Sequence, residues 1–201
     1  MWMLKKHSCL RPQEKGVDMT RDEALELLKK YNGNEHLIQH AMAVEATMKE
    51  FAQLKGEDVD YWGMVGLLHD VDYGMFPEEH CKKAPELLNE IGADDSFIHS
   101  VVCHGYGLCT DVKPELYMEK VLFTIDELTG LVHATALVRP EKMNGMTVKS
   151  VKKKWSSAAF AAGVNRDIIS EGVAMMGDME LPEVIQHTID AMSKVASQIG
   201  L

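Results

Sequence analysis

The residues with the clearest chemical potential lie in Gly63-Met64-Val65-Gly66-Leu67-Leu68-His69-Asp70-Val71-Asp72. So dense an apolar run belongs to a protein interior, yet it ends in an imidazole beside a carboxylate, with a second carboxylate two residues on. Ionisable groups carried into an interior are costly unless they are paired or bind a metal. Imidazole and carboxylate are common ligands of divalent ions. His40 is three residues after Leu37 and four before Val44. It therefore shares the helical face of Leu37, Ala41, Val44, Met48 and Phe51. Asp126 follows Leu122 by four and sits against the stripe Met118, Leu122, Ile125, Thr129. His40, His69, Asp70 and Asp126 form a mixed nitrogen and oxygen set. Such a set suits Mn, Fe, Co, Ni, Zn or Mg better than a thiolate-seeking metal. His80 and His104 fall between Asp70 and Asp126 and could hold a second ion bridged by Asp70. Taken alone, each residue has a plainer reading: a hydrogen-bonded core histidine, an ion-pair partner, a solvated side chain or a helix end. Their joint order and context favour a metal site.

The elements that must position these groups read as helices throughout. Thr20-Arg21-Asp22-Glu23 is a capping box opening a helix to about Tyr31. Asn32-Gly33-Asn34 is a turn signal. A second helix runs from about Glu35 to Leu54 and stops at Gly56. Asp58 or Asp60 caps a third, which carries Tyr61 to His69 into the core. A loop over 73–77 leads to a short helix of roughly Cys81 to Ile91, and Asp94 or Asp95 caps another through Val102. Leu116 to about Val138 is helical, with Gly130 as the place where it is expected to break. A basic helix follows from Val148 to about Ala161, then Arg166 to Met176 behind Asn165, then a last helix from Leu181. No alternating strand, repeat or low-complexity tract interrupts the pattern, so the fold class is all-α. Residues 1–18 lack periodicity and read as a loosely ordered extension. Residues 19–201 read as one domain, with its core over about 35–131 and the helices of 147–201 closing the bundle.

Composition sets outer bounds. The chain has 201 residues, a formal net charge of −10 and 46% apolar residues. Such acidity argues against extended nucleic acid and anionic membranes as partners. Cys9, Cys81, Cys103 and Cys109 form no Cys-x-x-Cys pair, which points to a reducing compartment, and the expected location is the cytoplasm. No apolar run approaches the ~18 residues of a membrane span, and no secretory signal follows Met1. Whether the chain forms a homodimer is left open by the pattern.

The order His40, then His69-Asp70, then Asp126, with Val65-Gly66-Leu67-Leu68 leading into the pair, resembles the HD-domain superfamily of metal-dependent phosphohydrolases. The resemblance covers about residues 35–131. It implies an HD-domain-like helical bundle that binds one or two divalent ions. His40, His69, Asp70 and Asp126 would be the core ligands, and His80 and His104 look like the extra ligands of the binuclear branch, whose order is H, HD, H, H, D. The chain departs from the HDIG subgroup, since Asp72 stands where that glycine would be. Cyclic-dinucleotide activity is therefore not carried over.

The chemistry expected of such a site is phosphoester hydrolysis by activated water. A divalent ion lowers the pKa of coordinated water towards about 7. Asp70 and Asp72 are the expected catalytic carboxylates, with Asp72 orienting the water or protonating the leaving group. Lys149, Lys152 and Lys153 share one helical face. Together with Arg139 they are the expected contacts to the phosphate of a nucleotide or other small phosphorylated metabolite. Two other function classes fit the same ligand order: a di-iron oxygenase of the same fold, and a binding or regulatory module with little turnover.

Overall fold

The computed structural model describes residues 19–157 and 159–201. The expected loose extension, residues 1–18, lies outside the described residues. Among these there are nine α-helices and no strand, and the one sheet-like contact is an isolated bridge between Tyr106 and Thr110. The helices are α1 (Arg21–Tyr31), α2 (Glu35–Lys55), α3 (Val59–Leu68), α4 (Ala84–Glu90), α5 (Asp95–Val102), α6 (Tyr117–Leu137), α7 (Val148–Trp155), α8 (Arg166–Met176) and α9 (Leu181–Lys194). The all-α expectation holds. No helix of the described residues is long and apolar enough to cross a membrane.

Local chemistry accounts for the first three helix starts and for the end of α2. Thr20 and Glu23 exchange the two bonds of a capping box: the Glu23 N–H donates to Thr20 Oγ1, and the Thr20 N–H donates to Glu23 Oε2. Asn34 Oδ1 accepts from His36 N–H, and Asp58 Oδ1 accepts from the N–H groups of Asp60 and Tyr61. Gly56 ends α2 at φ +67°, in the left-handed region that glycine enters without a Cβ penalty.

α2 lies at the centre, packed against α3, α6 and α9, while α6 also carries α8. The interior between them is apolar: Val44, Met48 and Phe51 from α2, Val65, Leu67 and Leu68 from α3, Leu122, Ile125 and Leu128 from α6, and Val184 and Ile185 from α9 are all fully buried. Each such side chain contributes about 1.5–3 kcal/mol relative to exposure. Glu45 is buried on α2, and its carboxylate is met by Arg21 at 2.6 and 2.7 Å and by Lys49 at 2.6 Å. The bidentate Arg21 pair ties α1 to α2 while satisfying that buried charge.

Three helix boundaries differ from the sequence reading. α4 begins at Ala84 rather than Cys81. Cys81 adopts φ +63°, and the Ala84 N–H donates to Asp72 Oδ2 at 2.9 Å. α6 is continuous through Gly130, where Val164 approaches closely enough that a Cβ would meet its Cγ2 at 3.3 Å. α7 stops at Trp155 rather than Ala161. The Arg166 guanidinium gathers the carbonyls of Trp155, Ser157, Phe160, Ala161 and Val164, which winds that segment into a loop.

Gly66 sets the approach of α3 to α2. A Cβ there would lie 2.8 Å from Met48 Cγ and 3.2 Å from Glu45 Cα. Gly66→Ala is expected to push the two helices apart and to cost about 1–3 kcal/mol by overpacking. A urea midpoint unchanged from the parent protein would contradict this reading of the contact.

Candidate metal centre

Five segments converge at the end of α3. His40 comes from α2, His69 and Asp70 from the turn just past α3, and Asp126 from α6. His80 precedes α4, and His104 lies in the 3-10 turn Cys103–Gly105 after α5. His69 is fully buried and Asp70 is 8% exposed. The two oxygens of Asp70 face different partners. Oδ2 is 3.4 Å from His69 Nε2 and 3.8 Å from His40 Nε2. Oδ1 is 3.4 Å from His104 Nε2 and 3.5 Å from His80 Nε2. Asp126 Oδ1 completes the first half, 2.9 Å from His40 Nε2 and 3.3 Å from His69 Nε2. Donors sharing one ion at bond lengths near 2.1 Å stand about 3.0–3.5 Å apart, so the spacing suits coordination.

The hydrogen bonds behind the histidines sharpen that fit. His69 Nδ1 lies 2.8 Å from the Gly66 carbonyl, and His104 Nδ1 lies 2.5 Å from that of Val101. His80 Nδ1 lies 2.9 Å from Asp72 Oδ1. An acceptor at Nδ1 places the proton there and turns the Nε2 lone pair inward, the arrangement found behind metal-ligating histidines. His69 Nε2 is buried and has no hydrogen-bond partner. His80 Nε2 and His104 Nε2 are 3.2 Å apart. Either a proton shared between them or a cation would satisfy both nitrogens. A buried nitrogen without a hydrogen bond, two facing ring nitrogens and two carboxylates are what a divalent ion would satisfy. The residues present could hold one ion at His40, His69 and Asp126, and a second at His80 and His104, with Asp70 between.

Without an ion the cluster balances itself by proton sharing. Burial opposes the charge on His69, but Asp70 and Asp126 overcome it and hold its pKa well above the usual value. Burial likewise opposes ionisation of Asp70, and the imidazoles of His69 and His104 reverse this, so its carboxyl stays well below the usual range. Asp126 is lowered against the same burial by His40 and His69. His80 is raised by Asp72 and Asp70, again against burial.

Asp72 requires a correction. It was expected to address the water or the leaving group, but it is fully buried and both its oxygens are committed. Oδ1 accepts from His80, and Oδ2 accepts from the Ala84 N–H. It positions His80 and does not line the cavity. The expected phosphate contacts also lie elsewhere. Arg139, Lys149 and Lys153 line a separate cavity with Thr135 and Ser150, and Lys152 is exposed on α7 and lines neither. Arg139 is turned to Ser150 Oγ and the Asn144 carbonyl.

The cavity over the donors has a volume of about 410 Å³. Besides the donors it is walled by Leu37, Tyr73, Leu108, Cys109, Glu127 and Val164, and among the described residues no Lys or Arg lines it. Burial, then the charges of Asp126 and Asp70, raise the pKa of Glu127, although its carboxylate accepts from the Asn165 N–H. The sequence reading passed over Asn32 as part of a turn. It is in fact the staple of the His69-Asp70 turn: its Nδ2 donates to the carbonyls of Asp70 and Val71, and its Oδ1 accepts from the Gly74 N–H. No local signal marks that role, because the partners are about forty residues away. A further His/Cys/Glu group, His99–Cys103–Glu119, has a structural explanation. Glu119 accepts from the Glu115 and Leu116 N–H groups and the Ser100 hydroxyl, and Cys103 donates to the Ser100 carbonyl.

Two outcomes follow from this geometry. Asp72→Asn should weaken binding of a divalent ion at the His80/His104 half by about 10–100-fold, and equal affinities of variant and parent by titration calorimetry would contradict the positioning role. Ion binding should also tighten as pH rises. The folded-state pKa of His69 is raised above 6.5, so its stabilising charge is complete below that pH and is lost as pH climbs through the folded value. An incoming ion must displace that proton, and calorimetric heats independent of buffer ionisation enthalpy would show that no proton leaves. No protein-family model, curated protein or solved structure matches the chain.

Proposed function

We propose that the chain is a metal-dependent phosphohydrolase of HD-domain type, acting on a small phosphorylated metabolite or nucleotide. The observation that carries the reading is the Asp70 carboxylate, whose oxygens face His69 and His40 on one side and His80 and His104 on the other. Its support from sequence is the order of the donors along the chain, which resembles that of the binuclear HD branch. When bound, divalent ions supply acidified water and charge stabilisation for a phosphoryl group.

The protein's own residues have distinct tasks in this account. His40, His69 and Asp126 would hold one ion, His80 and His104 the other, and Asp70 both. Asp72 fixes the ring of His80, and the Gly66 and Val101 carbonyls fix those of His69 and His104. Asn32 anchors the backbone of Asp70. Charge narrows the substrate. Among the described residues the cavity carries Asp70, Asp126 and Glu127 and no Lys or Arg, so bound ions would be what offsets a phosphate's charge there. Two divalent ions against these carboxylates suit a dianionic phosphomonoester better than a triphosphate chain. The half-exposed Tyr73 and the exposed Leu108 offer apolar surface at the same cavity for the remainder of such a substrate.

A panel of phosphomonoesters and nucleoside triphosphates, assayed with Mn, Co or Ni, should show phosphate release from a monoester. Asp70→Ala should abolish both turnover and metal content, and His80→Ala and His104→Ala should each lose one metal equivalent. Full metal occupancy in Asp70→Ala would contradict the assignment. A silent panel with O₂ uptake under ferrous iron would favour the di-iron oxygenase, and silence in both assays with no co-purified metal would favour a binding module.

A further inference from the structure

Two thiols meet at the edge of the cavity, and one of them, Cys81, also lies within reach of the His80 and His104 nitrogens as a further candidate donor. Cys81 Sγ and Cys109 Sγ are 2.9 Å apart, whereas His104 Nε2 is 3.9 Å from Cys81 Sγ. Both sulfurs rest on Gly105, where a Cβ would lie 2.3 Å from Cys109 Sγ and 2.4 Å from Cys81 Sγ. Only a residue without a side chain leaves them room to touch. Each thiol is also held from its own side. Cys81 occupies φ +63°, a conformation that L side chains rarely adopt and that the surrounding structure must impose. The Cys109 loop is wound on one acceptor, the Gly105 carbonyl, which takes the N–H groups of Leu108, Cys109 and Thr110. The pair differs in access: Cys81 is 2% exposed, while Cys109 is half-buried and lines the cavity.

We propose that Cys81 and Cys109 are a peroxide-oxidisable pair that closes reversibly to a disulfide at the edge of the cavity. The oxidant is a hydroperoxide. Cys109, the accessible thiol, attacks the outer peroxide oxygen. The O–O bond breaks, the sulfur becomes a sulfenic acid, and the alcohol or water leaves with the thiol's proton. Cys81 then attacks the Cys109 sulfur, the S–O bond breaks, and the hydroxyl departs as water with the Cys81 proton. Two thiols and one hydroperoxide thus yield one disulfide, one alcohol and one water. The sulfurs need to close by only about 0.9 Å to reach bonding distance. The bond would join the segment that follows His80 to the loop that follows His104, and so tether the two loops flanking that half of the metal centre. This proposal does not depend on the phosphohydrolase reading, because its readout is covalent.

The test treats the full-length protein with hydrogen peroxide, alkylates the remaining thiols and digests it without reduction for mass spectrometry. The expected result is a peptide containing Cys81 joined to one containing Cys109, with two titratable thiols lost per chain and both restored by dithiothreitol. Cys109→Ser, checked for helicity by circular dichroism, should leave Cys81 as a free thiol under the same treatment. Two unchanged thiols in the parent protein, a sulfinic acid at Cys109 without the link, or a link to Cys9 or Cys103 instead would each overturn the proposal.

Discussion

A carboxylate removed almost wholly from water must find its compensation inside the protein, and Asp70 finds it in histidines on both sides. The buried turn at the end of α3 makes sense only if the charge it carries is matched by His69 and His40 at one oxygen and by His80 and His104 at the other. Much of the architecture serves that match. α2 and α6 bring His40 and Asp126 in from opposite walls, and Gly66 lets α3 approach α2 closely. Asn32 ties the turn back to the end of α1. An uncompensated charge at this depth would cost several kcal/mol, so the site and the packing of the bundle are one problem. Cations held there would be a fuller solution, because they would also satisfy the orphaned nitrogen of His69 and lie between the facing nitrogens of His80 and His104.

What was legible from sequence follows from how local each signal is. The caps at Thr20 and Asn165 and the stop at Gly56 depend on residues within a turn, and the reading placed each of them correctly; it left the cap of α3 between Asp58 and Asp60, and the structure has Asp58 there. The helical periodicity around Leu37, Val44 and Leu122 set the faces that carry His40 and Asp126, and those faces do converge. Asp72 was misread because its partners, His80 and the Ala84 N–H, lie eight and twelve residues away across a loop without periodic pattern. The end of α7 was misread because Arg166 reaches back to five carbonyls, a contact that no propensity encodes. The lysines of α7 looked like phosphate ligands because they share a helical face. Their cavity is bounded by Thr135 and Arg139, beyond Asp126 on the chain, and it does not include the metal donors.

This separation leaves the chain with two zones of opposite electrostatic character: an acidic, histidine-rich cavity, and a basic cleft on a protein of net charge −10. Among the described residues, the first is lined by imidazoles and carboxylates, and the rings of the site are fixed by the Gly66 and Val101 carbonyls and by Asp72.

The central claim is that Asp70 is shared between two ion sites. Anomalous X-ray scattering from crystals grown with a divalent transition metal tests it most directly. Two peaks are predicted, one in contact with His40, His69 and Asp126 and the other with His80 and His104, each also touching one oxygen of Asp70. The absence of any peak, or peaks that leave either oxygen of Asp70 without a metal contact, would contradict the account.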